Sequence, residues 1–171
     1  MADGTDGGLP GGDGGPETPF DEPMRLALAE AVTAAGEGEV PVGAVILGPS
    51  GEVVARGRNR READGDPTAH AEIVAIRAAA RLAGTWRLDD YTLVVTLEPC
   101  TMCAGAISAA RIGRLVYAAA DPRAGAVGSL WDVLRDPRVA PWPQVLGPEA
   151  IGGVLGEECL NVIRTFFSER R

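Results

Sequence analysis

Two short stretches constrain this chain more than anything else in its 171 residues: His70-Ala71-Glu72, and further on Pro99-Cys100-Thr101-Met102-Cys103. Each lies at the expected start of a helix. Cys100 and Cys103 are three apart and so share one helix face. The free N–H groups and partial positive charge of a helix N-terminus favour thiolate over thiol there. Thiolate sulfur and imidazole nitrogen are both good zinc ligands. His70 is the only histidine of the chain. With Cys100 and Cys103 it makes three ligands, and a fourth tetrahedral position left open marks a catalytic rather than a structural zinc site. Any fold that uses this constellation must bring the two helix starts to one point.

Glu72 extends the argument from binding to chemistry. In mid-helix, residues two apart do not face each other. In a first turn, side chains lean towards the N-terminus, so a metal beyond the helix end can be bonded by His70 while Glu72 reaches a water on it. Two thiolates cancel the formal charge of Zn²⁺, which acidifies that water less than an all-histidine site would. A neighbouring carboxylate that takes the proton then becomes valuable, and it can return the proton to a leaving group. Taken alone, Cys-x-x-Cys reads equally well as redox-active or buried, and a lone histidine is more often structural. Their combination points to one Zn²⁺ per chain, with Glu72 as the proton carrier. Cys159 reads as a small core residue of the last helix.

The rest of the chain supplies a scaffold. Residues 1–22 are rich in Gly, Pro and Asp and cannot bury enough apolar surface to order themselves. They read as a disordered acidic tail, with a single domain from Pro23 to Arg171. Met24, Leu28, Ala31, Val32 and Ala35 recur at helical spacing, and Gly36 is a stop. Val42 to Leu47, the turn Gly48-Pro49-Ser50-Gly51, and Glu52 to Arg58 read as a hairpin. A helix opens at Asp66-Pro67 and runs to about Ala83. Tyr91 to Leu97 is a buried strand, Pro99 to about Ala110 a helix, and Leu115 to Ala119 a fourth strand. Asp121 to Gly128 reads as a loop and Leu130 to Arg135 as a short helix. A fifth strand falls around Val145-Leu146 or Ala150-Ile151. The last helix runs from Val154 to about Ser168, with Leu155, Cys159, Val162, Ile163, Phe166 and Phe167 on one face. Alternating helices and strands over this length indicate a three-layer α/β/α domain.

Composition narrows the function classes. No apolar run is long enough to span a bilayer, and the first residues lack the basic start and apolar stretch of a secretory signal. The expectation is a cytoplasmic protein with no membrane partner. Three cysteines do not make a disulfide framework. The chain has no lysine, which excludes a lysine Schiff-base mechanism. Its net charge of −8 opposes nucleic-acid binding at first sight. Six acids and no base lie in residues 1–22, however, so the remainder carries −2. A near-neutral domain can still hold a local basic patch.

The chain resembles the bacterial tRNA-specific adenosine deaminases of the cytidine deaminase-like superfamily. The blocks that carry the resemblance are Glu39 to Val45, Asn59-Arg60, Asp66 to Ile73, Thr96 to Ile107, Arg111-Ile112, Asp121, Gly125-Ala126, Gly128-Ser129-Leu130, Phe166-Phe167 and Arg170-Arg171. It runs from about Pro23 to the C-terminus, and its zinc motif is shared by the wider superfamily. The resemblance implies a cytidine deaminase-like fold with a central mixed five-stranded sheet. The implied reaction is hydrolysis of a flipped-out wobble adenosine of a tRNA anticodon loop to inosine, with ammonia leaving. By the same resemblance Asn59 would hydrogen-bond the base, although a turn-capping Asn is an equal reading of the residue alone. The Ala71 N–H and Val42 would line the pocket, and Asp121 would lie beside the RNA strand. Phe167, Arg170 and Arg171 would meet the anticodon stem-loop, and the protein would be a homodimer.

Three departures from the family pattern concern RNA-facing regions and leave the zinc chemistry alone. Ala120 stands where a basic residue is usual. Val139-Ala140-Pro141-Trp142-Pro143 replaces an Asn-His pair, and that segment is longer than usual. One rival reading keeps the chemistry and changes the substrate to a free nucleobase or nucleoside such as guanine or cytosine. A second is a zinc-stabilised scaffold subunit without catalysis, which the presence of Glu72 disfavours.

Overall fold

The computed structural model describes residues 17–138 and 149–170. Its elements are α1 (Asp21–Gly36), β1 (Gly43–Leu47), β2 (Val53–Arg58), α2 (Arg61–Asp64), α3 (Ala71–Ala83), β3 (Thr92–Leu97), α4 (Thr101–Ala110), β4 (Arg114–Ala119), β5 (Glu149–Gly152) and α5 (Gly156–Ser168). The strands form one sheet in the order β2-β1-β3-β4-β5. β1 is antiparallel to β2 and β3, while β3, β4 and β5 run parallel. This is the central mixed five-stranded sheet that the resemblance implies.

Strand alternation builds the layers. A strand sends successive side chains to opposite faces, and both faces of this sheet are covered. Ala44 and Ile46 of β1, Leu93 and Val95 of β3, and Leu115 of β4 pack with Ala75 and Ile76 of α3 and Ile107 of α4. The alternate residues Val45, Leu47, Val94 and Val116 pack with Met24 and Ala27 of α1 and Cys159 of α5. All five residues of β1 are buried, which explains why Val42 to Leu47 reads as a continuous apolar run rather than an alternating one.

Glycine decides how closely α3 approaches the sheet. A Cβ at Gly57 of β2 would lie 2.3 Å from the Ala71 carbonyl oxygen. No other residue type lets the first turn of α3, which carries His70 and Glu72, lie this close to the strand.

Several boundaries differ from expectation, each for a local reason. α3 starts at Ala71, not at Asp66-Pro67, with His70 as its extended N-cap (φ −72°, ψ 154°). Asp66 Oδ1 instead accepts from the Thr68 N–H at 2.8 Å and the Thr68 hydroxyl at 2.7 Å, a side-chain turn that competes with helix. Likewise α4 starts at Thr101, with Cys100 as its extended N-cap. The helix expected over 130–135 is absent. There the Val127 and Ser129 N–H groups donate to Glu98, Val127 bridges Asp132, and the Arg135 N–H donates to Asp132 Oδ1 at 3.2 Å. α5 starts at Gly156 rather than Val154. The fifth strand takes the Ala150-Ile151 alternative, and Val145-Leu146 lies outside the described residues. So do residues 1–16 of the expected tail. Phe20 packs against the α1 face of the core, and Asp21 and Glu22 form the first turn of α1, where acids suit the helix dipole. Among the described residues, no helix is long and apolar enough to cross a membrane.

Candidate active site

The two helix starts meet beyond the ends of β1 and β3. His70 caps α3 and Cys100 caps α4, both in extended backbone, so each projects away from its own helix. Cys103 follows one turn into α4. His70 Nδ1 lies 3.7 Å from Cys100 Sγ and 3.5 Å from Cys103 Sγ. All three ligand atoms lie within 4.8 Å of one another. The structure thus brings together the three residues that the two motifs in combination picked out.

Hydrogen bonds from neighbouring segments hold this arrangement. Asn59, buried at the end of β2, donates from Nδ2 to the Val40 carbonyl at 3.0 Å and accepts from the Ala71 N–H on Oδ1 at 3.0 Å. It ties the first turn of α3 to the segment before β1. One N–H and one lone pair of its amide remain. Behind it, Glu39 Oε1 accepts from the Glu62 and Ala63 N–H groups at 2.9 Å each and fixes α2. The Thr96 hydroxyl oxygen accepts from the Gly43 N–H at 3.1 Å.

The cluster opens into a cavity of about 140 Å³ whose lining includes Val42, Asn59, His70, Glu72, Cys100 and Asp121. Five further lining residues were not singled out from sequence: Val40, Arg61, Leu97, Glu98 and Ala124. Ala71 lies outside the lining, and its N–H is the one donated to Asn59. Phe167 lies on α5 and Arg170 just beyond its end, and neither lines this cavity. Phe167 is 47% exposed, and the Arg170 guanidinium sits 3.7 Å over the Phe166 ring.

Burial and proximity tune the titratable groups. A hydrogen bond from Cys103, assisted by His70, pulls the Cys100 thiol down to about 4. The same bond with Cys100, together with burial, pushes the Cys103 thiol upward. The His70 imidazole is raised, first by its hydrogen bond to Cys100 and then by the negative charge of Glu72. Glu72 is 3% exposed, and burial raises its carboxyl above the ordinary glutamate range, towards the pH at which it can both take and give a proton. Glu98 behaves oppositely. Burial acts to raise it, but hydrogen bonds from Ser129 and the Asp121, Ser129 and Val127 N–H groups hold it below its usual value.

This donor set fits Zn²⁺. One imidazole nitrogen and two sulfurs, one strongly acidified, suit a borderline-soft cation and leave room for a fourth ligand. Glu72 stands beside the set, hydrogen-bonded to Cys103 but not itself one of the three donors.

Fold and donor set together define a zinc-binding deaminase domain. Residues 20–119 match the model of the cytidine and deoxycytidylate deaminase zinc-binding region, and the chain belongs to that family. Over 148 residues it is 43% identical to the tRNA-specific adenosine deaminase of Bacillus subtilis (strain 168), covering 86% of this chain and 88% of that protein. It is 45% identical, with a TM-score of 0.72, to a structure solved in studies of A-to-I editing by tRNA:A34 deaminases at the wobble position of transfer RNA; the match covers 82% of this chain and 98% of that one. It is also 50% identical over 156 residues to the tRNA(Ile)-lysidine synthase of Deinococcus radiodurans, 91% of this chain but only 26% of that protein. The chain thus spans about a quarter of the length of that relative.

Proposed function

We propose that the protein hydrolyses the wobble adenosine of a tRNA anticodon loop to inosine, releasing ammonia. The observation that carries this reading is the match to a tRNA-specific adenosine deaminase across nearly the whole of both proteins, which reaches well beyond the zinc motif. The longer relative that contains such a domain is also named for a tRNA.

In this reading His70, Cys100 and Cys103 hold one Zn²⁺, which supplies the Lewis acidity that eases ionisation of water at neutral pH. The Glu72 carboxylate accepts the proton of the water that adds to C6 of the base, then delivers it to the exocyclic nitrogen that leaves as ammonia. The residual N–H and lone pair of Asn59 orient the flipped base, with Val42 and the Ala71 turn behind it and Asp121 beside the flanking strand. Phe167 and Arg170 meet the anticodon stem-loop outside the pocket. The working unit is a cytoplasmic homodimer. Exposed Met102, Leu130 and Trp131 support that unit: Trp131 Nε1 donates to Thr101 Oγ1 at 3.1 Å, so their apolar surface adjoins the start of α4.

The test is inosine formation in a short anticodon stem-loop carrying adenosine at the wobble position, using wild type, Glu72→Ala and zinc-stripped wild type. Inosine from untreated wild type alone is the expected result. Turnover of free guanine, cytosine or a nucleoside, with an inert stem-loop, would replace the tRNA reading by a small-molecule one.

A further inference from the structure

We infer that Glu98 is a positioning residue: it holds the substrate-facing wall of the site in register with the metal-binding turn. It lies two residues before Cys100, yet its carboxylate reaches the loop over 121–129. Oε1 accepts from the Val127 N–H at 2.9 Å and the Ser129 N–H at 3.1 Å. Oε2 accepts from the Asp121 N–H at 3.0 Å and from the Ser129 hydroxyl. A carboxylate offers about four acceptor sites, and here all four are taken by a single loop.

The loop passes directly over this carboxylate. A Cβ at Gly125 would lie 2.5 Å from the Glu98 carboxyl carbon, so only glycine lets the chain pass. Two backbone contacts repeat the join. The Ala126 N–H donates to the Pro99 carbonyl at 2.9 Å, and Cys100 and Gly125 form an antiparallel bridge. Asp121 and Ala124 of the same loop line the cavity together with His70, Glu72 and Cys100. One buried acid therefore links the turn that bears two metal donors to the wall that meets the substrate strand. Glutamine is nearly the same shape but turns an N–H₂ group towards backbone N–H donors, leaving buried donors unmatched.

This inference rests on the reading of that loop as RNA-facing, so its test has one arm that needs no substrate. Hydrogen exchange is compared between zinc-loaded wild type and Glu98→Gln in the full chain. The Val127 and Ser129 amides are expected to exchange about tenfold faster or more in the variant, with the amides of α3 unchanged. Equal acceleration in α3, or none over 121–129, overturns the inference. In the second arm, on the stem-loop, Glu98→Gln is expected to raise KM about tenfold while kcat falls about threefold or less. Asp121→Ala should raise KM less in the Glu98→Gln background than in wild type, because the wall it belongs to is already displaced. Additive effects, a loss confined to kcat, or loss of zinc overturn the inference. A wild type inert on the stem-loop defeats the proposed function instead, and the exchange pattern still decides the role of Glu98. Should Glu98→Gln fail to fold, Ser129→Ala removes one of the four bonds and carries the same comparison, with a KM increase of about threefold.

Discussion

At the scale of single residues, Glu72 and Cys100 divide chemistry from assembly. Glu72 is buried beside the His-Cys-Cys cluster but is not one of its three members. Glu72→Gln keeps the volume and removes the proposed proton carrier, so zinc content and Tm should hold while kcat falls on the order of 10²- to 10⁴-fold. Metal analysis alongside the inosine assay checks both halves, and a variant with more than a tenth of wild-type turnover would end the assignment. Cys100→Ala acts on assembly: it leaves two donors, so native mass spectrometry should show metal loss, and the lower Tm should no longer respond to added Zn²⁺. These residues are legible in the sequence because the ligands sit at fixed short spacings on two helix starts. Glu98 is not. Its donors lie 23 to 31 residues downstream, and no local pattern distinguishes a glutamate before proline that organises a distant loop from one that faces solvent.

At the scale of elements, the strands are read more accurately than the helix starts. β1 and β3 are buried runs whose observed starts, Gly43 and Thr92, lie one residue after the expected ones and whose ends, Leu47 and Leu97, agree with them. The start of α3 is misread because helical composition begins at Asp66, whereas the Asp66 side chain captures Thr68 and delays the helix to Ala71. That delay matters for function: it leaves His70 as an extended cap aimed at α4 instead of a residue inside a helix. The position of α3 further depends on Gly57, where an added Cβ would meet the Ala71 carbonyl oxygen at 2.3 Å. Gly57→Ala should therefore destabilise the protein by about 1–3 kcal/mol and displace the turn that carries His70. The expected readout is a lower Tm together with weaker zinc retention against a chelator. Gly36→Ala is the matched control, since nothing lies within 4 Å of its added Cβ. A Gly57→Ala protein as stable and as metal-tight as that control would show that α3 is positioned by other contacts.

At the scale of the whole molecule, the proposed tRNA substrate raises the question of how a chain of net charge −8 would take a polyanion. The charge is unevenly placed: three of its acids, and no base, lie in residues 1–16. Many of the arginines of the described domain are already engaged, as in Arg58 with Glu30 and Glu37, Arg60 with Asp64, and Arg87 with Asp89. Arg61 lines the cavity itself and presents its charge where the substrate strand would enter. Repulsion between exposed charges fades beyond a Debye length of about 8 Å at physiological salt, so the acidic N-terminal stretch should slow encounter without preventing binding. Deleting residues 1–16 changes the net charge from −8 to −5. The expected outcome is tighter stem-loop binding at low salt, a difference that shrinks as salt rises, and an unaltered Tm. Fluorescence anisotropy over a salt series measures it directly. If the shortened chain binds RNA less tightly at every salt concentration, the N-terminal stretch makes contacts with the substrate and is not merely an electrostatic opponent of it.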